Sequence, residues 1–382
     1  MTRVDVSPEI LKWAAHRAGK EHTIQDEIPS WSKWINNQNQ PTFKQLESVA
    51  KATSTPLGYF FLQKPPQEQL PVPHYRTIDD RGTKTPSPNL LETVQSMQRR
   101  QDWMHDYLVE REHDPLDFVG VNSIKQSPIS IAKDIRKKLG LEHGWAGNCP
   151  TWVDALSMLL YKIEDIGILI VVNGIVGNNT HRKLDVDEFR GFVLVDKYAP
   201  LIFVNNADGK AAQMFTLAHE LAHIWLGVSA AFDLQELQPA NNETEKICNS
   251  IAAEFLVPEK ELKEYWDKVR ADGERFNLLA RRFKVSEVVA ARRTLDLGLI
   301  SSSEFFDFYH NRYLVGLQEA PGASGGNFYY NQPYRIGRRF AEAVISATRE
   351  GKLLYQEAYR LTGLKGKTFA NFATHIGYGG DV

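Results

Sequence analysis

The stretch TLAHELAHIWLG, residues 216–227, sets two histidines four apart with a glutamate directly after the first. At 3.6 residues per turn, positions four apart lie on one face of a helix. His219 and His223 therefore point the same way, with Glu220 beside them. Thr216, Leu217, Ala218, Leu221, Ala222, Ile224 and Trp225 bring no charge, proline or glycine. The segment reads as a buried helix that keeps both imidazoles neutral. An ordinary amphipathic helix with two hydrogen-bonded histidines is the bland alternative. The chemical alternative is a hydrolytic metal site: two neutral imidazoles on one face, an adjacent carboxylate as general base, and a third protein ligand from elsewhere.

The third ligand decides the class. In one large group a histidine follows in the pattern H-x-x-G-x-x-H, but here Gly227 is one place late and Ser229 stands where that histidine would be. The next histidine, His310, is too remote. A carboxylate on a later helix remains, and Asp233, Glu236, Glu243 and Glu245 are the candidates. In ETEKICNSIAAEFLVP, residues 243–258, helical spacing puts Glu245, Cys248, Asn249 and Ala252 on one face. A ligand there would meet the motif helix through small residues, which favours Glu245. Glu243 points elsewhere and suits first-turn charge at a helix N-terminus. Cys248 reads as a small buried hydrophobe.

Around this centre the pattern is mixed α and β. TWVDALSMLLYKIEDIG (151–167) is helical and leads into GILIVVNGIV, a β-branched run of strand type. FRGFVLVD (189–196) and PLIFVNN (200–206), separated by Lys197–Ala199, read as a strand pair, after which Asp208 can cap the motif helix. Upstream, PEILKWAAHRAG, WSKWI and PTFKQLESVAKAT are short helices, the last with Pro41 in a first-turn position. The proline-dense KPPQEQLPVPHYRTIDDRGTKTPSP (64–88) is an extended connector. Downstream of Pro258 the chain reads as mostly helical, apart from a loop at 319–327. No internal repeat is visible.

Composition bounds the rest. With 382 residues, 42% hydrophobic and 24% charged, and a formal net charge of −2, the chain suits a soluble protein with a real core and no global pull toward nucleic acid or anionic membrane. Cys149 and Cys248 cannot build a disulfide framework. MTRVDVSPEILKW lacks the apolar core of a signal peptide, and no run is long enough to span a bilayer. The expectation is a reduced, cytoplasmic protein.

These residues resemble the ImmA/IrrE metallopeptidases. The resemblance rests on TLAHELAHIWLG, on the E-x-x-C-N-x-x-A-A-E-x-L-x-P pattern from Glu245 to Pro258, and on the strand pair before the motif. It implies a gluzincin-like metalloendopeptidase in which His219, His223 and Glu245 hold Zn2+, or another divalent ion such as Mn2+, and Glu220 is the catalytic base. Family targets are typically XRE-type repressors, cleaved to induce stress, phage or mobile-element genes, and some members sit beside toxin genes. Residues 37–62 are similar to the end of an XRE-type helix-turn-helix, and residues 325–373 to a helical extension found in some members.

The expected fold is therefore α+β. A zincin-like core at 90–265, with a small antiparallel-edged sheet and the motif helix, is flanked by a degenerate helix-turn-helix module at 1–66, a connector at 67–89 and a helical region at 266–382. Substrate backbone would pair along an edge strand at Phe192–Asp196, including Phe192, Val193 and Leu194. Tyr329, Tyr330 and Arg335, after the glycine-rich loop, could hydrogen-bond a peptide. Competing readings are a non-catalytic regulator or antitoxin-like partner with a structural metal, and a DNA-binding repressor controlled by its own peptidase half.

DNA reading is the weakest of these. Glu21, Asp26 and Glu27 crowd the segment where a recognition helix wants basic and amide side chains, and Lys33, Lys44 and Lys51 are scattered. Trp31 and Trp34, read as exposed, suit a protein contact instead. The expected outcome of a gel shift against the promoter of its own gene, in moderate salt, is no sequence-specific complex. A sharp shift abolished by Lys33→Glu would reverse this reading.

Overall fold

The computed structural model describes residues 3–66, 68, 86–232, 243–310 and 328–378. It is a mixed α and β structure with a small sheet. The loop at 319–327, and Asp233 and Glu236, lie outside the described residues.

Four helices open the chain: α1 (Pro8–Arg17), α2 (Ile24–Glu27), α3 (Trp31–Ile35) and α4 (Phe43–Ala52), followed by a 3-10 turn at Leu57–Phe61. Ser7 accepts from Glu9 N at the head of α1, and Thr42 and Gln45 form a capping box on α4. Their apolar faces close on a core of their own, built from Ile10, Leu11, Ala14, Leu46, Val49 and Phe60. Trp31 and Trp34 belong to that core at 5% and 3% exposure, so the expected exposed aromatics are corrected to packing residues. Pro41 precedes the Thr42 cap and does not occupy the first turn.

The second part contains α5 (Pro88–Glu110), α6 (Pro128–Lys138) and α7 (Trp152–Asp165), then β1 (Leu169–Val172), a hairpin of β2 (Ile175–Val176) and β3 (Asn179–Lys183), β4 (Gly191–Leu194) and β5 (Leu201–Val204). The motif helix α8 (Lys210–Leu226) follows, then β6 (Ala230–Phe232), α9 (Glu243–Leu256), α10 (Glu259–Val269), α11 (Arg275–Phe283), α12 (Glu287–Asp296) and α13 (Ser302–Phe308). The main sheet runs β1-β5-β4-β6, with β1 parallel to β5 and the other neighbours antiparallel. The expected pairing of 189–196 with 200–206 is present, Phe192 opposite Phe203 and Leu194 opposite Leu201.

The edge is not where the sequence put it. β4 lies inside the sheet, and β6 takes its outer side, with Gly191 opposite Phe232 and Val193 opposite Ala230. Ser229 Oγ accepts from Val195 N at 2.9 Å, just beyond. Phe192, Val193 and Leu194 are moreover at most 5% exposed. Phe192 and Val193 are paired on both sides, Leu194 is paired with β5, and all three side chains are covered, so they are corrected from substrate contacts to sheet core.

β1, β4 and β5 are buried at every position, which requires cover on both faces of the sheet. The two-residue alternation sorts them cleanly. Ile170, Val172, Val193, Ile202 and Val204 face a core shared with α6, α7, α8 and α9. Leu169, Val171, Phe192, Leu194, Leu201 and Phe203 face another, covered by α5 and by the C-terminal helices α14 (Phe328–Ile336), α15 (Arg338–Arg349), α16 (Tyr355–Thr362) and α17 (Gly366–His375). Arg100, buried on α5, ties this layer together: Nε donates to Leu361 O at 3.0 Å, and Nη1 to Arg335 O at 3.1 Å and Ile336 O at 3.2 Å. No helix among the described residues is long and apolar enough to cross a membrane.

This two-sided cover makes the C-terminal helices part of the sheet's support. Phe340 on α15 is 1% exposed in the second core. Phe340→Ala should therefore cost about 3–5 kcal/mol in urea unfolding, the range for a truncated core aromatic. A change below about 0.5 kcal/mol would show that the C-terminal helices do not support the sheet.

Candidate metal centre

α8 is apolar almost all round, and every residue from Gln213 to Leu226 is buried, as befits a helix packed on all sides. Its start is not capped as expected. Asp208 pairs with Arg190 at 2.5 Å, and Gly209 takes the N-cap position with no side-chain hydrogen bond to the helix. Its end is sharply made: Gly227 adopts φ 72°, the left-handed region that glycine enters without strain. The backbone there also approaches another glycine. A Cβ on Gly227 would lie 2.9 Å from Gly120 Cα, while Gly120 N donates to Ile224 O at 2.9 Å. Two glycines thus let a loop satisfy the last carbonyls of the helix.

A third glycine sets α8 on the sheet. A Cβ on Gly191 would meet Thr216 Cγ2 at 2.5 Å and Phe203 O at 2.8 Å, and would lie 3.5 Å from Glu220 Oε1. The missing side chain is what allows the motif helix, and Glu220 with it, to sit against β4.

α9 supplies the other half of the site. Its C-terminal end is clamped by guanidinium groups. Arg136 donates to Phe255 O at 3.1 Å and pairs with Glu261 at 2.7 Å, while Arg293 donates to Val257 O at 3.1 Å and pairs with Glu254. Glu254 in turn accepts from Glu259 N at 3.2 Å, at the start of α10. The orphan carbonyls of a helix end are thereby satisfied, and the axial position of α9 is held against α6 and α12.

Between the two helices three ligand-type side chains converge. His219 Nε2 lies 3.1 Å from His223 Nε2 and 3.1 Å from Glu245 Oε2, and His223 Nε2 lies 3.4 Å from Glu245 Oε1. Ligands held at about 2.0–2.1 Å around a tetrahedral zinc are roughly 3.3 Å apart, so this spacing fits such an ion. The unmet polar groups fit it too. Both Glu220 oxygens and Glu245 Oε1 are buried without a hydrogen-bond partner, a condition that native interiors seldom tolerate without a function. His219, Glu220 and His223 are fully buried, and Glu245 is largely so. Among the described residues this is the one group of three or more such side chains close enough to hold a metal. Glu243, by contrast, is exposed.

The electrostatics follow from burial. Burial pushes the His219 imidazole below its usual range, so it stays neutral, as a ligand must. Burial raises the Glu220 carboxyl well above the carboxylate range, and the nearby Glu245 charge raises it further. Burial also opposes the charge on Glu245, but its close approach to the two imidazoles outweighs that and holds the carboxyl down. A divalent cation among them would offset the repulsion that Glu220 meets.

Not every expected residue reaches the site. Arg335 lies by β1 at the far side of the sheet, its carbonyl bound to Arg100. Tyr329 and Tyr330 fall on α14, where their side chains are outside the described residues. One residue had no role assigned from sequence: Asn249, whose Oδ1 lies 3.0 Å from His219 Nδ1. Its position four after Glu245 was the available signal.

The family model described as the IrrE N-terminal-like domain matches residues 163–295, a span that contains His219, Glu220, His223 and Glu245. Over this span the chain is similar to the IrrE-type metallopeptidases. Radiation response metalloprotease IrrE of Deinococcus radiodurans is 30% identical over 152 residues, covering 35% of this chain and 44% of that protein. The chain thus matches less than half the length of that family relative. A second model, a domain of unknown function, matches residues 336–375, which form α15 to α17. No solved structure matches.

The geometry separates the two acidic candidates on α9. Glu245→Gln should weaken zinc binding at least tenfold in a competition titration with a chromophoric chelator, because it removes a charged ligand. Glu243→Gln should leave binding within about twofold. Equal losses in both variants would refute the assignment of Glu245.

Proposed function

We propose that this chain is a zinc-dependent endopeptidase with a zincin-like core that cleaves a specific protein partner. The single observation carrying this reading is the buried His219–His223–Glu245 cluster with Glu220, unpartnered at both oxygens, on the same helix. The match to the IrrE N-terminal-like domain supports it, and the similarity to the radiation response metalloprotease of Deinococcus radiodurans supports a role in a stress response. An XRE-type repressor or a toxin-like protein, encoded nearby, is the proposed class of target.

In this reading His219, His223 and Glu245 would hold the ion, with Glu220 beside them on α8. A bound zinc ion would supply Lewis acidity, polarising the scissile carbonyl and bringing the pKa of water toward about 7. Glu220 accepts the proton of the attacking water and returns it to the leaving amide nitrogen. Its low-dielectric surroundings make both transfers sensitive to small changes in nearby charge. With β4 covered, peptide backbone would have to pair with the outer side of β6 or bind without strand addition.

The rival reading is a regulator with a purely structural metal. Glu220 argues against it: a structural site needs no fully buried carboxylate beside its ligands, and keeping one there costs stability. Glu220→Gln is the decisive variant. It should retain zinc and the fold, yet lose about 10²–10⁴-fold in turnover of a cleaved partner, the usual contribution of general acid–base catalysis. Turnover close to wild type would exclude this mechanism.

A further inference from the structure

The two imidazoles of the cluster are not held alike. His219 Nδ1 lies 3.0 Å from Asn249 Oδ1, whereas His223 Nδ1 is buried with no hydrogen-bond partner. We infer that Asn249 is a positioning residue for the metal: its side-chain oxygen fixes the ring orientation and tautomer of His219. The inference rests on the metal-site reading above and extends it to a residue that would not touch the ion.

An amide oxygen only accepts. Facing His219 Nδ1, it requires the ring hydrogen to sit there, and a neutral imidazole carries only one. Nε2 is then left as a bare lone pair, aimed at the point where His223 Nε2 and the Glu245 carboxylate converge. Were the amide turned over, its NH2 would donate to Nδ1 and drive the ring hydrogen onto Nε2. That hydrogen would point at His223 Nε2, 3.1 Å away, and block the ion.

The helix makes the arrangement compact. Asn249 follows Glu245 by four residues, so a ligand and the group that orients another ligand stand one turn apart on α9. The guanidinium clamps on the far end of α9 hold both in register with α8. His219 is thereby the preorganised ligand, whereas His223 has no such partner at Nδ1.

The test uses the full chain, zinc and cobalt. Asn249→Leu should bind zinc about 10–100-fold more weakly, the usual loss when a ligand's hydrogen-bond partner is removed. Asn249→Asp, whose carboxylate still accepts from Nδ1, should return affinity to within a few-fold of wild type. The visible absorption bands of the Co2+-loaded protein should shift in the leucine variant and return in the aspartate variant, a pattern that a merely structural contact would not produce. If Asn249→Leu does not fold, Asn249→Ala carries the same comparison with less crowding. A wild-type chain that binds neither metal would overturn the metal-site reading itself. A wild-type chain that binds zinc, with leucine or alanine variants binding equally tightly and showing unchanged cobalt bands, would overturn the role of Asn249 alone.

Discussion

The structure depends on one constraint: three polar side chains, His219, Glu220 and His223, sit on a helix buried on every side. An apolar α8 would pack here with less difficulty. Because polar groups in a low-dielectric interior are costly unless partnered, whatever faces them must answer chemically. α9 does so with Glu245 and Asn249, held in place by the Arg136–Glu261 and Arg293–Glu254 pairs. The sheet answers sterically, by omitting a side chain at Gly191. Among the groups left unanswered are the two oxygens of Glu220, where the chemistry is proposed.

Burial on this scale needs a firm floor, and the sheet supplies it only because both of its faces are covered. One face carries α8. The other is closed by α5 and the C-terminal helices, with the Arg100 guanidinium holding backbone carbonyls from two of them. The region matched by a domain of unknown function is thus joined to the sheet through a common core, so changes in α15 to α17 can reach the floor on which α8 rests.

How legible this was varies from residue to residue. His219, Glu220 and His223 could be grouped from sequence because helical spacing is local and the flanks are apolar. Glu245 was legible from its helix face and from the family pattern. The strand pair was legible too, since each strand is short, β-branched and bounded by turn residues. Trp31 and Trp34 were misread: aromatic residues in a short polar segment carry no record of which neighbours will cover them. Asp208 was misread as a cap because the sequence does not show that Arg190 comes within 2.5 Å of it.

What the sequence determined by itself is therefore whatever depends on near neighbours along the chain: the motif face, the strand pair, the helix that ends before Pro258, and the carboxylate one turn from an asparagine. Tertiary structure decided what depends on residues far apart in number. It put β6 on the outer side of β4, which closed the expected edge and buried Phe192, Val193 and Leu194. It also put Asn249 beside His219 Nδ1, while His223 Nδ1 was left without a hydrogen-bond partner. Periodicity fixes which way a side chain leaves its own backbone; only the packing of distant segments fixes what it meets there.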